Sequence, residues 1–99
     1  MNLDNLIDQW FEDRGIVENG KTMSQAIKTL EETTELIDAI NKEDRIELMD
    51  AVGDIYVTLR GVCKVEGVDF HDCVDRAYHE IKDRKGYLSA DGTLIKEAQ

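Results

Sequence analysis

Apolar residues in this chain recur every three to four positions through four long stretches, and no proline interrupts any of them. That rhythm matches the turn of an α-helix rather than the every-second-residue alternation of a half-buried strand. Leu3, Leu6, Ile7, Trp10 and Phe11 predict a first helix from Leu3 to about Arg14, stopped at Gly15. After a polar connection from Val17 to Lys21, Thr22 and Gln25 have the spacing of a capping box, opening a second helix that runs to about Asn41. Its core stripe is expected to be Met23, Ile27, Leu30, Thr34 and Ile37. Asp44 and Glu47 cap a third helix that continues to Glu66 and stops at Gly67. Asp69 opens a fourth, carrying Phe70, Cys73, Val74, Ala77, Tyr78 and Ile81 and ended by Gly86. Two short apolar pieces around Asp91-Gly92 then predict a small hairpin or ordered tail.

Four helices and a tail in 99 residues, with 41% apolar content, are enough for one modest core, so a single all-α domain over residues 1–99 is expected. The third helix is apolar on more than one side. It predicts burial against another subunit, in a homodimer or homotetramer. Acidic residues outnumber basic ones by 22 to 12, and the resulting charge of −10 argues against a surface that grips nucleic-acid phosphate. No run approaches the roughly 18 to 20 apolar residues of a membrane span, and Met1-Asn2-Leu3-Asp4-Asn5 lacks the basic start of a signal peptide. A cytoplasmic protein with neither membrane nor nucleic-acid partner is expected. Cys63 and Cys73 have neither Cys-x-x-Cys nor zinc-site spacing and read as two buried free thiols.

The acidic residues that stand out are Glu31, Glu32 and Glu35 on the second helix and Asp50 and Asp54 on the third. Glu32 and Glu35 share a side of their helix, with Lys28 one turn before them. Glu47, Asp50 and Asp54 fall within an arc of roughly 60°, which Gly61 continues as a point where a close approach needs no side chain. Asp54 sits within Val52-Gly53-Asp54-Ile55-Tyr56-Val57, whose periodicity demands burial. An ionised carboxylate there must be paired, protonated or bound to a metal ion. Lys28 is the one nearby cation on the second helix, and none lies on the Asp50/Asp54 arc. Two carboxylates from each of two facing helices make a hard oxygen site suited to Mg²⁺ or Mn²⁺, completed by water and substrate phosphates. The bland alternative is a solvated acidic face, the ordinary state of such runs and a fair description of Glu31, Glu43 and Glu47.

Glu31-Glu32-Thr33-Thr34-Glu35-Leu36 followed by Asp50-Ala51-Val52-Gly53-Asp54 resembles the all-α nucleoside triphosphate pyrophosphohydrolases, the MazG-like group allied to dimeric dUTPases. Trp10, Lys28 and the segment from Ala77 to Gly86 extend the likeness to compact phage-type or bacterial members. The resemblance implies a four-helix-bundle-like MazG-type fold and Mg²⁺ held by Glu32, Glu35 and Asp54. The commoner second motif is Glu-x-x-Asp, which would put its first acid at position 51. This chain has Ala51 there, and Asp50, one turn before Asp54, is the geometric substitute, with Glu47 as the other candidate.

The implied reaction is hydrolysis of a nucleoside triphosphate between the α and β phosphates, giving monophosphate and pyrophosphate. Glu31 or Glu35 would orient or deprotonate the attacking water. Lys28 and the Lys82, Arg84 and Lys85 cluster are the cations available to the pyrophosphate, although basic residues at a helix C-terminus also suit its dipole. Trp10 is a candidate for stacking on the base, although a single Trp on an amphipathic helix is more often core. His71 and His79 receive no role. Two other readings compete: a non-catalytic acidic helical module, acting as a nucleic-acid mimic or adaptor, and a phosphoribosyl-ATP pyrophosphohydrolase. A mimic would spread its carboxylates over exposed surface.

Overall fold

The computed structural model describes residues 2–97, so that Met1 of the N-terminal reading lies outside the described residues. The fold is all-α with a C-terminal hairpin: α1 (Leu3–Asp13), α2 (Ile16–Asn19), α3 (Thr22–Asn41), α4 (Arg45–Glu66), α5 (Phe70–Ile81), β1 (Gly86–Leu88) and β2 (Leu94–Lys96). The four expected helices are present. One short helix, α2, forms where the sequence suggests only a polar connection, its entry set by Gly15 at φ 70°.

Local signals account for most boundaries. The Asp44 side chain accepts from Glu47 N at 3.0 Å and the Asp69 side chain from Asp72 N at 3.0 Å, so both expected caps form. Gly67 ends α4 in the left-handed conformation at φ 71°. Thr22 does not cap α3: Lys21 takes the cap position without a side-chain bond and Thr22 is the first helical residue. Helix α5 ends at Ile81, before the expected Gly86, because Gly86 is already pairing with Lys96 in the hairpin. Asp91 and Gly92 stand in the turn as expected, with Gly92 at φ 86°.

The centre of the molecule is the α3/α4 helical hairpin, closed by a tight turn over Lys42 to Asp44. Its inner seam is small and polar. Ala39 and Ala51 are buried, and Thr29 donates to Thr58 Oγ at 2.8 Å while Thr58 donates to the Ile55 carbonyl at 2.9 Å. At Gly61 the backbone of α4 is approached closely, as the arc analysis expects. A Cβ there would lie 2.7 Å from Phe11 Cζ and 2.8 Å from Gln25 Oε1, so no other residue fits without displacement.

Helix α1 lies on α4 in a parallel register fixed by three rungs. Tyr56 donates to Asp4 at 2.8 Å, Arg60 makes a two-pronged bond to Asp8 at 3.0 and 2.8 Å, and Lys64 meets Glu12 at 2.8 Å. Each rung advances four residues on both helices, so one face of α1 meets one face of α4. His71 from the first turn of α5 adds a contact to Asp4 at 2.9 Å, and Phe70 lies under the Arg60 guanidinium at 5.3 Å.

Two burial expectations are overturned. The stripe of α3 that reads as core faces outward: Met23, Ile27, Leu30 and Ile37 are 68, 49, 67 and 56% exposed, because the side turned to α4 is the Thr29, Thr33 and Ala39 face. Cys63 is buried but Cys73 is exposed, since α5 touches α4 only along its inner edge.

Hydrogen bonds from His71 and Tyr56, aided by the Arg60 charge, hold the Asp4 carboxyl below the usual aspartate range. A depressed carboxyl stabilises the fold above its unfolded pKa, and that contribution disappears as pH falls through the folded value. Urea unfolding between about pH 2 and pH 6 should therefore show an acid limb that is shallower in Asp4→Asn than in the wild type. At neutral pH the variant should be the less stable of the two.

A candidate metal centre between two helices

The third and fourth turns of α3 bring Glu32 and Glu35 to one side of the helix, and α4 presents Asp54 opposite them. One ligand atom from each lies within 4.8 Å of the others, a spacing that a single cation can bridge. The burden of burial falls on Glu32 rather than on Asp54. Glu32 is half-buried and its Oε2 is buried with no hydrogen-bond partner, whereas Glu35 and Asp54 are exposed. Asp54 shares its exposure with Val52 and Gly53, whereas Ile55, Tyr56 and Val57 after it are half-buried, Tyr56 against α1.

Burial raises the Glu32 carboxyl above its ordinary range. Contact with the Glu35 carboxyl and the charge of Asp54 push it the same way, while Lys28 opposes them. An orphaned carboxylate oxygen facing two further carboxylates is a donor set that lacks its counter-charge, and a hard divalent cation fits it.

Asp50 is not within bridging distance of the trio. It lines the same groove, of about 410 Å³, with Glu35, Asp38, Lys42, Glu47, Ala51 and Asp54. Glu47 shares that wall, so both candidates for the fourth acid stand at the groove without joining the cluster. Ala51, at the position where the commoner motif carries an acid, is buried against α3.

The expected cations are differently placed. Lys28 is held by Glu31 at 3.2 Å, and both are exposed. The cation that does line the groove is Lys42, bonded to Asp38 at 2.8 Å and held more basic than usual by that bond first and then by the charges of Asp38 and Glu47. It is the C-cap residue of α3, one turn after Asp38, and so continues the Glu35 and Asp38 face.

Lys82, Arg84 and Lys85 follow α5 and line neither groove that touches Asp54. Trp10 stacks beneath Arg14 at 4.2 Å and borders an apolar surface hollow with Leu3, Leu6, Ile7 and Val57. A larger apolar groove of about 890 Å³ borders the carboxylates from the other side of α4, sharing Asp50 and Asp54 with the acidic one. Its remaining walls include Ile7, Met49, Val52, Gly53, Tyr56 and Val57.

The family model described as the MazG nucleotide pyrophosphohydrolase domain matches residues 21–88, which takes in both acidic motifs. The chain belongs to the MazG family. A relative, an uncharacterised 18.2 kDa protein from the rep-hol intergenic region of Haemophilus phage HP1, is 35% identical over 63 residues. That match covers 64% of this chain and 39% of the phage protein's own length. No solved structure matches the chain. Membership in the MazG family identifies the chain as a nucleotide pyrophosphohydrolase-type domain, and enzymes of this type use divalent metal. Among the described residues no helix is long and apolar enough to cross a membrane.

Binding of cation to the folded state alone stabilises it, by about 2.7 kcal/mol at a hundredfold excess over Kd. Mg²⁺ or Mn²⁺ should raise the thermal midpoint of the wild type in differential scanning calorimetry. Glu32→Gln should lose that rise, yet should melt a few degrees higher than the metal-free wild type because an opposed, half-buried charge is gone.

Proposed function

We propose that this protein hydrolyses a ribo- or deoxyribonucleoside triphosphate to the monophosphate and pyrophosphate, with Mg²⁺, or Mn²⁺ in its place, held by Glu32, Glu35 and Asp54. The carrying observation is the orphaned Glu32 oxygen within a three-carboxylate cluster. Asp50 is the fourth acid in this reading, reaching the phosphates or their cation from the shared wall of the two grooves. A bound divalent ion would neutralise the triphosphate and make the α-phosphorus open to attack by water.

The chain's own groups do the positioning. Glu35, on the groove wall, is better placed than Glu31 to orient the water, because Glu31 is engaged by Lys28 and borders neither groove. Lys42 can exchange Asp38 for the departing pyrophosphate. The apolar groove beyond Asp54 would take the nucleoside, and Gly53 leaves that approach open: nothing lies within 4 Å of where its Cβ would be. Five acids, Glu35, Asp38, Glu47, Asp50 and Asp54, converge on one groove, a convergence for which the acidic-mimic reading has no use.

Pyrophosphate release measured over a panel of ribo- and deoxyribonucleoside triphosphates should require divalent metal and stop with chelator. Asp54→Asn should reduce turnover by about a thousandfold or more while remaining folded, in line with losing a group that acts on the transition-state charge. No release from any member at high enzyme concentration would overturn the catalytic reading.

The same reading includes a homodimer or homotetramer. A compact monomer of 11.3 kDa exposes about 5,700 Å², yet this chain exposes 7806 Å². Its radius of gyration is 16.2 Å, against about 12.6 Å for a compact domain of this length. The excess of about 2,000 Å² per chain is the size of an obligate subunit interface. The outward residues Met23, Ile27, Leu30, Thr34 and Ile37 alternate steps of four and three, the seam spacing of paired helices. Sedimentation should give at least twice the chain mass, and Leu30→Glu should lower the assembly state or unfold the chain. A wild type that sediments as a stable monomer at micromolar concentration would defeat this part.

A further inference from the structure

Cys63 on α4 and Cys73 on α5 stand apart from both grooves, and their Sγ atoms lie 4.0 Å from each other. They are the chain's two cysteines, one buried and one exposed. A disulfide needs its sulfurs at about 2.05 Å, so the pair is about 2 Å short of bonding. Small rotations of both side chains, or a slight shift of α5, would close that gap. Helix α5 has room to shift, since His71 through Ile81 are all exposed.

We propose that Cys63 and Cys73 form a reactive dithiol that a small-molecule disulfide oxidises to an intramolecular bridge between α4 and α5. The exposed Cys73 loses its proton and attacks one sulfur of the small disulfide, expelling a thiolate and leaving a mixed disulfide on Cys73. Cys63, deprotonated in turn, attacks Cys73 Sγ, and the second small thiol leaves with the electron pair. Two protein thiols are oxidised, one small disulfide is reduced to two thiols, and no other reactant is needed.

The order follows from the surroundings. Burial, together with contact with Cys73, raises the Cys63 thiol above its usual range, which suits a resolving group better than the attacking one. Cys63 lies three residues beyond Arg60, and Cys73 three beyond Phe70. The bridge would therefore fasten the same two helices about one turn from the Arg60 contact with Phe70. It would turn a junction now held by side-chain contacts into a covalent one.

The test is incubation of the full-length reduced chain with oxidised glutathione, followed by intact mass and thiol counting under denaturing, non-reducing conditions. The expected product is a single chain lighter by two hydrogens, with its free thiols reduced from two to none and a thermal midpoint raised by about 5 °C until reductant is added. Cys63→Ser should stop at a stable glutathione adduct on Cys73. Cys73→Ser should react far more slowly than either. The proposal is overturned if the wild type accumulates glutathione adducts, if it forms bridges between chains instead, or if both thiols remain free.

Discussion

A guanidinium buried in the middle of α4 is the constraint that the rest of the arrangement satisfies. Arg60 is 7% exposed, and an unpaired charge at that depth would cost several kcal/mol. Asp8 answers it with two parallel bonds, and Tyr56 and Phe70 cover its faces, while Nη1 makes no hydrogen bond and feels only the Asp4 charge at 3.6 Å. Satisfying Arg60 thus fixes three things together: the register of α1, the parallel direction of α1 along α4, and the point where α5 begins. The flanking rungs, Tyr56 with Asp4 and Lys64 with Glu12, extend the same register but are more exposed and individually weaker.

The same helix carries a second charge problem, resolved differently. Arg60 finds its counter-charge inside the chain, while the carboxylates of Glu32, Glu35 and Asp54 face one another without a cation among them. Lys28 is taken by Glu31, and Lys42 by Asp38. Mutual repulsion within such a cluster is what a divalent ion would offset, so affinity for the ion and the repulsion among these carboxylates would have one origin. The polar inner seam of α3 and α4 permits this: hydroxyls and small side chains keep the helices close enough for carboxylates on both to converge.

Much of this was legible in the sequence, and the failures are specific. Helix periods, the Asp44 and Asp69 caps and the Gly67 stop depend on neighbours within one turn, which a sequence displays directly. The acids of the cluster could be picked out because i and i+3 positions share a face. Lys42 could have been found by the same rule, since it falls four residues after Asp38 and continues the Glu35 face at the C-cap of α3. Arg60 could have been found by the argument applied to Asp54: both are charges within apolar helical text, and Asp4, Asp8 and Glu12 form an acidic stripe at helical spacing. The partner is 52 residues away, a distance that periodicity does not bridge. The assignment of burial to Asp54 rather than Glu32 erred for a related reason. Apolar neighbours announce that a face is covered, but not whether this chain or another one covers it.

That distinction explains the outward stripe of α3 as well. Its apolar spacing is as regular as a core helix's, yet the chain turns it to solvent and packs threonines inward. The inward face is held by the Thr29 bond to Thr58, while the Thr33 hydroxyl bonds back to the Thr29 carbonyl of its own helix. The helix therefore has two demanding faces and only one neighbouring helix to cover them. Gly53 makes the same point on α4. A glycine in a helix interior costs roughly 0.5 to 1 kcal/mol relative to alanine, and here no contact within the chain needs its missing side chain. Under the proposed function both features have a use outside the single chain: a nucleotide would lie against Gly53 and a second subunit against α3.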